Sequence, residues 1–232
     1  MPVYPVKLCL NQISLFTGLT EAQSDWLRPR LSMRVFPKNR DIIVAGMPGE
    51  AVYVILSGTV KVYIQQFDGE EVTVAILGPG DPVGEMSVID RSERSASVIT
   101  LEETCVLCMD APDFKEALAN IPILAQNLIR ILNSRLRIST EQIQALAALD
   151  VYQRVIRQLL FFASRYGRPE ASGEIVIPIR LTQPDLSRLV GASRKRVNQA
   201  IVELKRSGWI MVDRDFHITI LDRAALESAA AR

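Results

Sequence analysis

The alternation of apolar and polar positions divides the chain into a β-rich part followed by a helical part. Between about residues 30 and 111, short apolar runs are separated by glycines and other turn residues. The Asp68-Gly69 pair is a strong hairpin signal, and Asn39 lies at a turn where a left-handed φ is expected. Many short strands at this spacing are typical of a small barrel or roll, and a helix is predicted around Glu21 to Leu31 at one end of it.

From about residue 113, apolar residues recur at the spacing of an α-helix, which predicts one long helix that continues to residue 148. Residues spaced alternately three and four apart form a heptad seam on this helix. The seam comprises Ile129, Leu132, Leu136, Ser139, Ile143 and Leu146. Such a seam predicts that the helix pairs with its copy in a homodimer.

One position of the seam is polar, because Ser139, which Thr140 follows, lies where an apolar residue is expected. A polar group buried in a seam costs stability unless it has a partner. Two interpretations are open. The hydroxyl controls the register or bonds back to its own helix, or a polar ligand lies against the seam at this point.

The C-terminal part contains two short helices joined by a tight turn. Asp150 is a natural N-cap for a helix over Val151–Tyr166, and a polar linker follows at residues 168–173. Thr182 and Ser193 are the caps of the two short helices, with Gly191 in the turn between them. Together with a β-hairpin predicted over residues 209–221, this pattern indicates a winged helix-turn-helix.

The charge of the chain is concentrated near these two helices. The whole chain carries a formal net charge of +1, yet residues 180–208 hold seven Lys or Arg against two Asp or Glu. Arg194, Lys195 and Arg196 form the first turn of the second helix, where cations oppose the helix dipole. A solvated charged face is one explanation, but the motif, the cap and the charge together favour binding of double-stranded DNA.

A second candidate site lies at the end of the β-rich part. Gly84-Glu85-Met86-Ser87 is followed closely by Arg94-Ser95-Ala96-Ser97. A carboxylate accepts hydrogen bonds from sugar hydroxyls, and a guanidinium forks onto phosphate oxygens, so the pair suits a ribose-phosphate ligand. The pattern lacks the Lys-Ser/Thr ending of a P-loop. The competing interpretation is an Arg–Glu ion pair on the surface beside a turn.

Composition excludes several other classes of protein. The 232 residues are 48% hydrophobic and 23% charged, which is typical of a globular chain with room for one large or two small domains. No apolar run approaches the ~20 residues of a membrane span, and the N-terminus lacks a signal-peptide pattern. We therefore expect a cytoplasmic protein with no membrane partner.

Cysteine and histidine are too few for a disulfide framework or a metal enzyme. The thiols are Cys9, Cys105 and Cys108, and the one imidazole is His217. Cys105 and Cys108 resemble half of a metal site, but four-ligand sites need more donors, so buried structural thiols are favoured and no metal is expected. A metal-dependent β-barrel enzyme would need two or three histidines, so we expect that the protein is not an enzyme.

Taken in order, these motifs resemble the cyclic AMP receptor protein/fumarate-nitrate regulator (CRP/FNR) family over nearly the whole chain. The resemblance rests on Gly84-Glu85, Arg94-Ser95-Ala96, Leu149-Asp150-Val151, and the helix-turn-helix run from Leu181-Thr182-Gln183 to Val197-Asn198. It implies an α+β fold in which residues 1–112 form a double-stranded β-helix, a jelly-roll-like cyclic-nucleotide-binding domain. It also implies a dimerisation helix over residues 113–149 and a winged helix-turn-helix over residues 150–232.

The function implied by the resemblance is that of a bacterial transcription regulator. Such a protein is a homodimer that binds a palindromic operator in double-stranded DNA, with RNA polymerase as a further partner. Cyclic AMP is the implied effector, on the family resemblance and not on any decisive residue. Another small acid or nucleotide, or no effector at all, is the alternative.

The resemblance also assigns roles to residues of the effector site. Glu85 would bind the ribose 2′-hydroxyl, and Arg94 with Ser95 would hold the cyclic phosphate. Arg135 and Ser139 would reach the ligand from the long helix, and Thr140 would reach the base in the partner subunit. The full predicted set is Gly84, Glu85, Met86, Ser87, Arg94, Ser95, Arg135, Ser139 and Thr140.

The predicted DNA-binding residues lie at the starts of the two short helices. They are Thr182, Gln183, Ser193, Arg194, Lys195, Arg196, Asn198 and Gln199. The chain departs from the receptor-protein branch at Lys195 and Gln199, where that branch carries Glu and Arg. Lys only donates hydrogen bonds, so a different operator is expected, and Asn198 or Gln199 is a candidate reader of adenine.

Overall fold

The computed structural model describes residues 10–230, so the prediction for the thiol of Cys9 lies outside the described residues. Contacts between residues divide the chain into two compact units, one up to Arg137 and one from Ile138 onward. This boundary falls inside the longest helix, whereas the sequence predicts boundaries after residues 112 and 149, near the two ends of that helix.

The first unit is built on two four-stranded antiparallel sheets. Their strand orders are β1-β8-β3-β6 and β2-β7-β4-β5. The eight strands are β1 (Ser32–Phe36), β2 (Asp41–Ile43), β3 (Ala51–Ser57), β4 (Val60–Gln65), β5 (Glu71–Leu77), β6 (Pro82–Val83), β7 (Ser97–Thr100) and β8 (Thr104–Asp110). Except for the β4–β5 hairpin, strands that are neighbours in a sheet are not consecutive in the sequence, which is the topology of a roll and agrees with the many short strands predicted.

The two sheets share one small apolar core. Ile43, Ile55, Val60, Val83 and Val98 are all buried there and come from strands of both sheets. The predicted turn residues take the expected conformations, since Asn39 has φ 59° and Gly69 has φ 83°. The sheets therefore pack through their inner faces and leave their ends for loops and helices.

Helices close one end of the roll and form its larger core. Short 3₁₀ turns at Leu10–Gln12, Ser14–Phe16 and Arg28–Arg30 flank α1, which spans Glu21–Leu27. Thr20 and Gln23 make a complete capping box at its start, so α1 begins as the sequence predicts. Buried side chains of these segments pack against β3, β8 and the helices that follow.

The prediction of one unbroken helix from residue 113 to 148 is wrong. The structure has α2 (Glu85–Asp90) within the roll, then α3 (Ala111–Asn120) and α4 (Pro122–Ala148). Ile121 between α3 and α4 leaves helical geometry at φ −124° and ψ 86°, because Pro122 disfavours helical backbone in the preceding residue. Proline is then well placed as the first residue of α4.

The second unit contains the end of α4 and a small domain of helices around one sheet. Its remaining elements are α5 (Val151–Tyr166), β9 (Arg168–Pro169), β10 (Ile175–Ile177), α6 (Gln183–Leu189), α7 (Arg194–Arg206), β11 (Ile210–Val212), β12 (Ile218–Ile220) and α8 (Arg223–Ala230). Asp150 caps α5 through a capping box with Gln153, as the sequence predicts. The predicted wing is present as β11 paired antiparallel with β12.

Two features of the second unit were not predicted. The segment read as a polar linker pairs in part as β9 with β10, which gives a sheet of order β11-β12-β10-β9. The C-terminal helix α8 was also missed, although Leu226 is fully buried. Both are short elements that tertiary contacts stabilise, since α8 packs against α5 and β9 pairs with β10.

Candidate functional site

A cavity in the first unit collects the polar residues that the sequence places in the effector site. Its polar lining includes Glu85, Ser87, Arg94, Ser95 and Arg135. An apolar wall completes it, formed by Ile43, Val62, Leu77, Val83 and Val98. The cavity therefore has one charged side and one apolar side, which suits a ligand with an anionic group attached to a ring system.

The backbone at Gly84 makes the charged side possible. Gly84 links β6 to α2 with φ 83°, in the left-handed region that favours glycine. A Cβ atom at this position would lie 2.5 Å from Nη1 of Arg94. Any larger residue at position 84 would therefore push the guanidinium out of its place.

Arg94 is a buried cation, with 8% of its surface exposed. Its Nη1 donates to the carbonyl of Gly84 at 2.5 Å and to the hydroxyl of Ser87 at 2.8 Å. Its Nη2 donates to the carbonyl of Ala51 at 2.6 Å. These three bonds hold the guanidinium rigidly through neutral acceptors.

No carboxylate among the described residues lies within ion-pair distance of Arg94. Burial lowers the pKa of Arg94, and the more distant charges of Tyr53, Glu85 and Glu50 act in the opposite direction. Guanidinium nevertheless stays protonated near neutral pH. An unpaired cation in such a place is costly, so the cavity is prepared for an anion.

Glu85 is more deeply buried than Arg94, at 2% exposed. Its partner is Arg135 of α4, whose Nη1 lies 2.7 Å from Oε1 of Glu85. Arg135 also donates to the carbonyl of Pro82. The alternative of a surface Arg–Glu pair is therefore wrong, because Glu85 is buried and is paired with Arg135 instead of Arg94.

A second surface is formed by α6, α7 and the turn that joins them. Thr182 accepts from the amide of Asp185, and Ser193 accepts from the amide of Arg196 at 3.4 Å, so both predicted caps are present. Gly191 in the turn has φ 59°. The apolar side of α7 is buried, through Val197, Ala200, Ile201 and Leu204.

The opposite side of α7 is a cationic surface. Arg194, Lys195 and Arg196 are exposed at its first turn, and no carboxylate of the described chain lies within ion-pair distance of them. One turn further along, Asn198 and Gln199 are also exposed. A rigid helix with three free cations at its N-terminus is suited to enter a groove lined by phosphates.

Comparison with known proteins finds a family model for the part of the chain that carries each of these two sites. A model of the cyclic nucleotide-binding domain matches residues 33–120, and a model of the Crp-like helix-turn-helix domain matches residues 153–229. The "CRP-like cAMP-activated global transcriptional regulator" of Mycobacterium tuberculosis is 34% identical over 204 residues, covering 88% of this chain and 91% of the relative. The chain belongs to the CRP/FNR family.

A second relative supports this placement, and a solved structure supports the fold. The "Cyclic AMP receptor protein" of Thermus thermophilus is 30% identical and covers 84% of this chain and 86% of its own length. The structure of FixK2 from Bradyrhizobium japonicum shares the fold, with a TM-score of 0.74 at 21% identity over 85% of this chain and 96% of that one. The predicted α+β fold, with a cyclic-nucleotide-binding β-roll and a C-terminal helix-turn-helix, is confirmed.

Membership of the CRP/FNR family also settles the class of function. The protein is a DNA-binding transcription regulator with a cyclic-nucleotide-binding domain. The prediction that it is not an enzyme is confirmed, since its relatives are regulators. Within the part of the chain that the structure describes, no helix is long and apolar enough to cross a membrane.

The structure distributes the predicted effector residues over both units. Gly84, Met86 and Ser95 line the cavity together with the charged residues, and Met86 is 53% exposed at its mouth. Ser139 and Thr140 are not part of this lining; they are exposed on α4 within the second unit. One supporting contact was missed: the carbonyl of Ala51 on β3 accepts from Arg94, and no sequence signal marks a backbone acceptor.

Six of the eight predicted DNA-binding residues lie at the caps or in the first turns of α6 and α7, and Asn198 and Gln199 lie in the second turn of α7. The sequence did not predict a role for Asp213 in the wing. Oδ1 of Asp213 accepts from the amides of Asp215 and His217, each at 2.8 Å, and shapes the turn between β11 and β12. Burial acts to raise the pKa of Asp213, but these bonds and the ring of His217 outweigh it and lower the pKa.

Cys105 and Cys108, the two cysteines that the structure describes, lie where structural thiols are expected. Cys108 is buried and Cys105 is half-buried, and both are free. Burial raises the pKa of each thiol, which keeps it protonated and unreactive. Over residues 10–230, no group of three His, Cys, Asp or Glu is placed to hold a metal ion.

Proposed function

We propose that this chain is a homodimeric transcription regulator controlled by cyclic AMP, which binds in the cavity around Arg94. The observation that carries the proposal is the buried, unpaired guanidinium of Arg94, fixed by neutral acceptors and facing a cavity. A cyclic phosphate supplies the single negative charge that this position needs. The name of the mycobacterial relative, a cAMP-activated regulator, supports cyclic AMP as the effector.

The cavity has a partner for each part of the nucleotide. Arg94 and the exposed hydroxyl of Ser95 would bind the cyclic phosphate, and Glu85 would accept from the ribose 2′-hydroxyl. Arg135 donates to Oε1 of Glu85, and the remaining lone pairs of the Glu85 carboxylate can accept from a hydroxyl. Gly84, Met86 and Ser87 would shape the turn around the sugar and phosphate, and the apolar wall would contact the ring system.

The dimer is proposed from the surface of α4. Four apolar residues of the predicted seam are exposed in the single chain, between 51% and 68%. They are Ile129, Leu136, Ile143 and Leu146. A contiguous apolar stripe on a 27-residue helix requires cover, and a second copy of the same helix provides it. In that dimer, Ser139 would reach the ligand and Thr140 the base bound by the partner subunit.

The proposed role of α7 in reading DNA depends on the two-fold symmetry of this homodimer. Two copies of α7 in a dimer would meet successive turns of the major groove, so the operator would be palindromic. Arg194 would contact a base edge, while Lys195 and Arg196 would contact phosphates. We propose residues 1–112, 113–149 and 150–232 as the effector, dimerisation and DNA-binding regions, and RNA polymerase as a further partner in the cytoplasm.

Calorimetric titration of the purified protein with cyclic AMP and, separately, with cyclic GMP tests the proposal. One cyclic AMP per chain, with weaker binding of cyclic GMP, is the expected result. Absence of heat with both nucleotides would overturn the cyclic nucleotide as effector. Tighter binding of cyclic GMP would reassign the effector while leaving the role of Arg94 intact.

A further inference from the structure

Two amide side chains face each other across the helix-turn-helix. Nε2 of Gln183, the first residue of α6, donates to Oδ1 of Asn198 on α7 at 2.8 Å. Asn198 is exposed and follows Arg194 by four residues, so the two lie on one stripe of α7, one turn apart. An exposed amide that is nevertheless held by a neighbouring helix is pre-oriented for a ligand.

We propose that Gln183 fixes the amide of Asn198 in the orientation that reads adenine in the major groove. The inference rests on the proposed role of α7 as the DNA-reading helix. It identifies the base that Asn198 contacts and assigns Gln183 as a positioning residue.

The chemistry of the amide leads to adenine. The oxygen of Asn198 has two lone pairs and its nitrogen has two hydrogens. Gln183 occupies one lone pair, so one acceptor position and the N–H donors remain for DNA. Adenine presents an acceptor, N7, beside a donor, N6, and the asparagine amide matches this edge with two bonds.

The bond from Gln183 also explains how guanine is rejected. A free asparagine amide rotates about its last torsion and exchanges the positions of oxygen and nitrogen. Rotation of Asn198 alone would bring its NH2 group against the NH2 group of Gln183, so the two amides can turn over only together. The held orientation places an oxygen toward the position where guanine carries O6, another acceptor, so guanine is disfavoured.

Gln199 provides an internal comparison on the same helix. It lies on another side of α7, near Tyr152 and Glu203, while Asn198 lies beside α6 and the wing. Gln199 has no neighbour comparable to Gln183 among the residues described, and its amide remains free to rotate. The same functional group is thus fixed at position 198 and adjustable at position 199.

The experiment starts with wild-type protein and cyclic AMP, which select operators from randomised double-stranded DNA. Fluorescence anisotropy then measures the ratio of affinities for operators with adenine or guanine at each position. We expect one position per half-site, next to the one that depends on Arg194, where adenine is favoured by about 5- to 150-fold. Asn198→Ala should abolish this ratio, and Val202→Ala, at an exposed position of α7 outside the predicted contacts, should leave it unchanged.

Two substitutions of Gln183 separate positioning from simple contact with phosphate. Gln183→Arg retains a donor toward Oδ1 of Asn198 and should keep the adenine preference. Gln183→Glu offers only acceptors, turns the Asn198 amide over, and should reduce the ratio by about 2- to 12-fold. Circular dichroism melts of each variant show whether the domain remains folded.

Each other result overturns a defined part of the inference. If Gln183→Glu weakens binding to all sequences alike and leaves the ratio intact, Gln183 only contacts phosphate. If Asn198→Ala retains the adenine preference, Asn198 is not the reader. If wild-type protein binds cyclic AMP in calorimetry yet selects no sequence at all, the proposed function of α7 fails, which is distinct from either outcome.

Discussion

Replacing Arg94 with leucine tests the effector site at the residue on which it depends. Arg94 is 8% exposed, and its guanidinium makes three hydrogen bonds to neutral acceptors and has no carboxylate partner among the described residues. Leucine fills much of the same apolar volume but supplies neither charge nor donors. We expect Arg94→Leu to lose cyclic AMP binding while the domain still folds.

The expected loss of affinity can be estimated from the buried ion pair that Arg94 would form with the phosphate of cyclic AMP. Removing one partner of a buried, hydrogen-bonded charge pair costs about 2–5 kcal/mol. That range corresponds to a Kd raised by roughly 30- to 5,000-fold. Two opposing effects act on the free protein. Buried acceptors left unsatisfied each cost about 1–3 kcal/mol, while removal of an unpaired buried cation is favourable.

The assay combines calorimetry with thermal unfolding. Titration with cyclic AMP gives the Kd, and the unfolding temperature without nucleotide shows whether the roll is intact. Arg94→Lys is the intermediate variant, because it keeps the charge but not the planar fork that matches phosphate. Arg40→Leu is the control, since Arg40 is an exposed arginine outside the cavity lining.

A folded Arg94→Leu protein that binds cyclic AMP as tightly as wild type would refute the reasoning. A loss of binding equal in Arg94→Leu and Arg40→Leu would show a general effect of charge instead of a specific contact. Loss in the first variant alone, with Arg94→Lys between it and wild type, is the result that the structure predicts.

Three further predictions address the dimer, the DNA contact and a helix cap. Leu136→Asp, which places a charge in the seam, should give monomers in sedimentation, whereas Asn133→Asp on the same helix should not; a dimeric Leu136→Asp would place the interface elsewhere. Arg194→Ala should cost about 1–3 kcal/mol and relax the preference at one base pair, while Lys195→Ala should weaken all sequences alike and reduce the salt slope by about one. Asp150→Ala, which loses the 2.8 Å bond from the amide of Gln153, should destabilise the second unit by about 0.5–2 kcal/mol in urea unfolding; an unchanged midpoint would mean that the cap contributes nothing.

Local chemistry was enough to predict the caps, the turns and the helix-turn-helix. The predicted caps Asp150, Thr182 and Ser193 all cap helices in the structure, because a side-chain oxygen and the amide from which it accepts are only three residues apart. The left-handed turn at Asn39 follows from the same short-range effects. The prediction failed where two signals disagreed. The helical spacing of apolar residues continues across residue 121, although Pro122 breaks the helix there.

The candidate sites needed the tertiary structure. The sequence named Glu85, Arg94 and Arg135 as residues of one site, but it did not show that Glu85 pairs with Arg135 and that Arg94 is left without a carboxylate. It also gave no sign that Gln183 and Asn198, fifteen residues apart, are hydrogen-bonded. Sequence determines which side chains are available and how the local backbone turns, because those effects act within a few residues. The pairing of buried charges and amides depends on which elements meet in space, and only the packing of the roll and of the helix-turn-helix decides that.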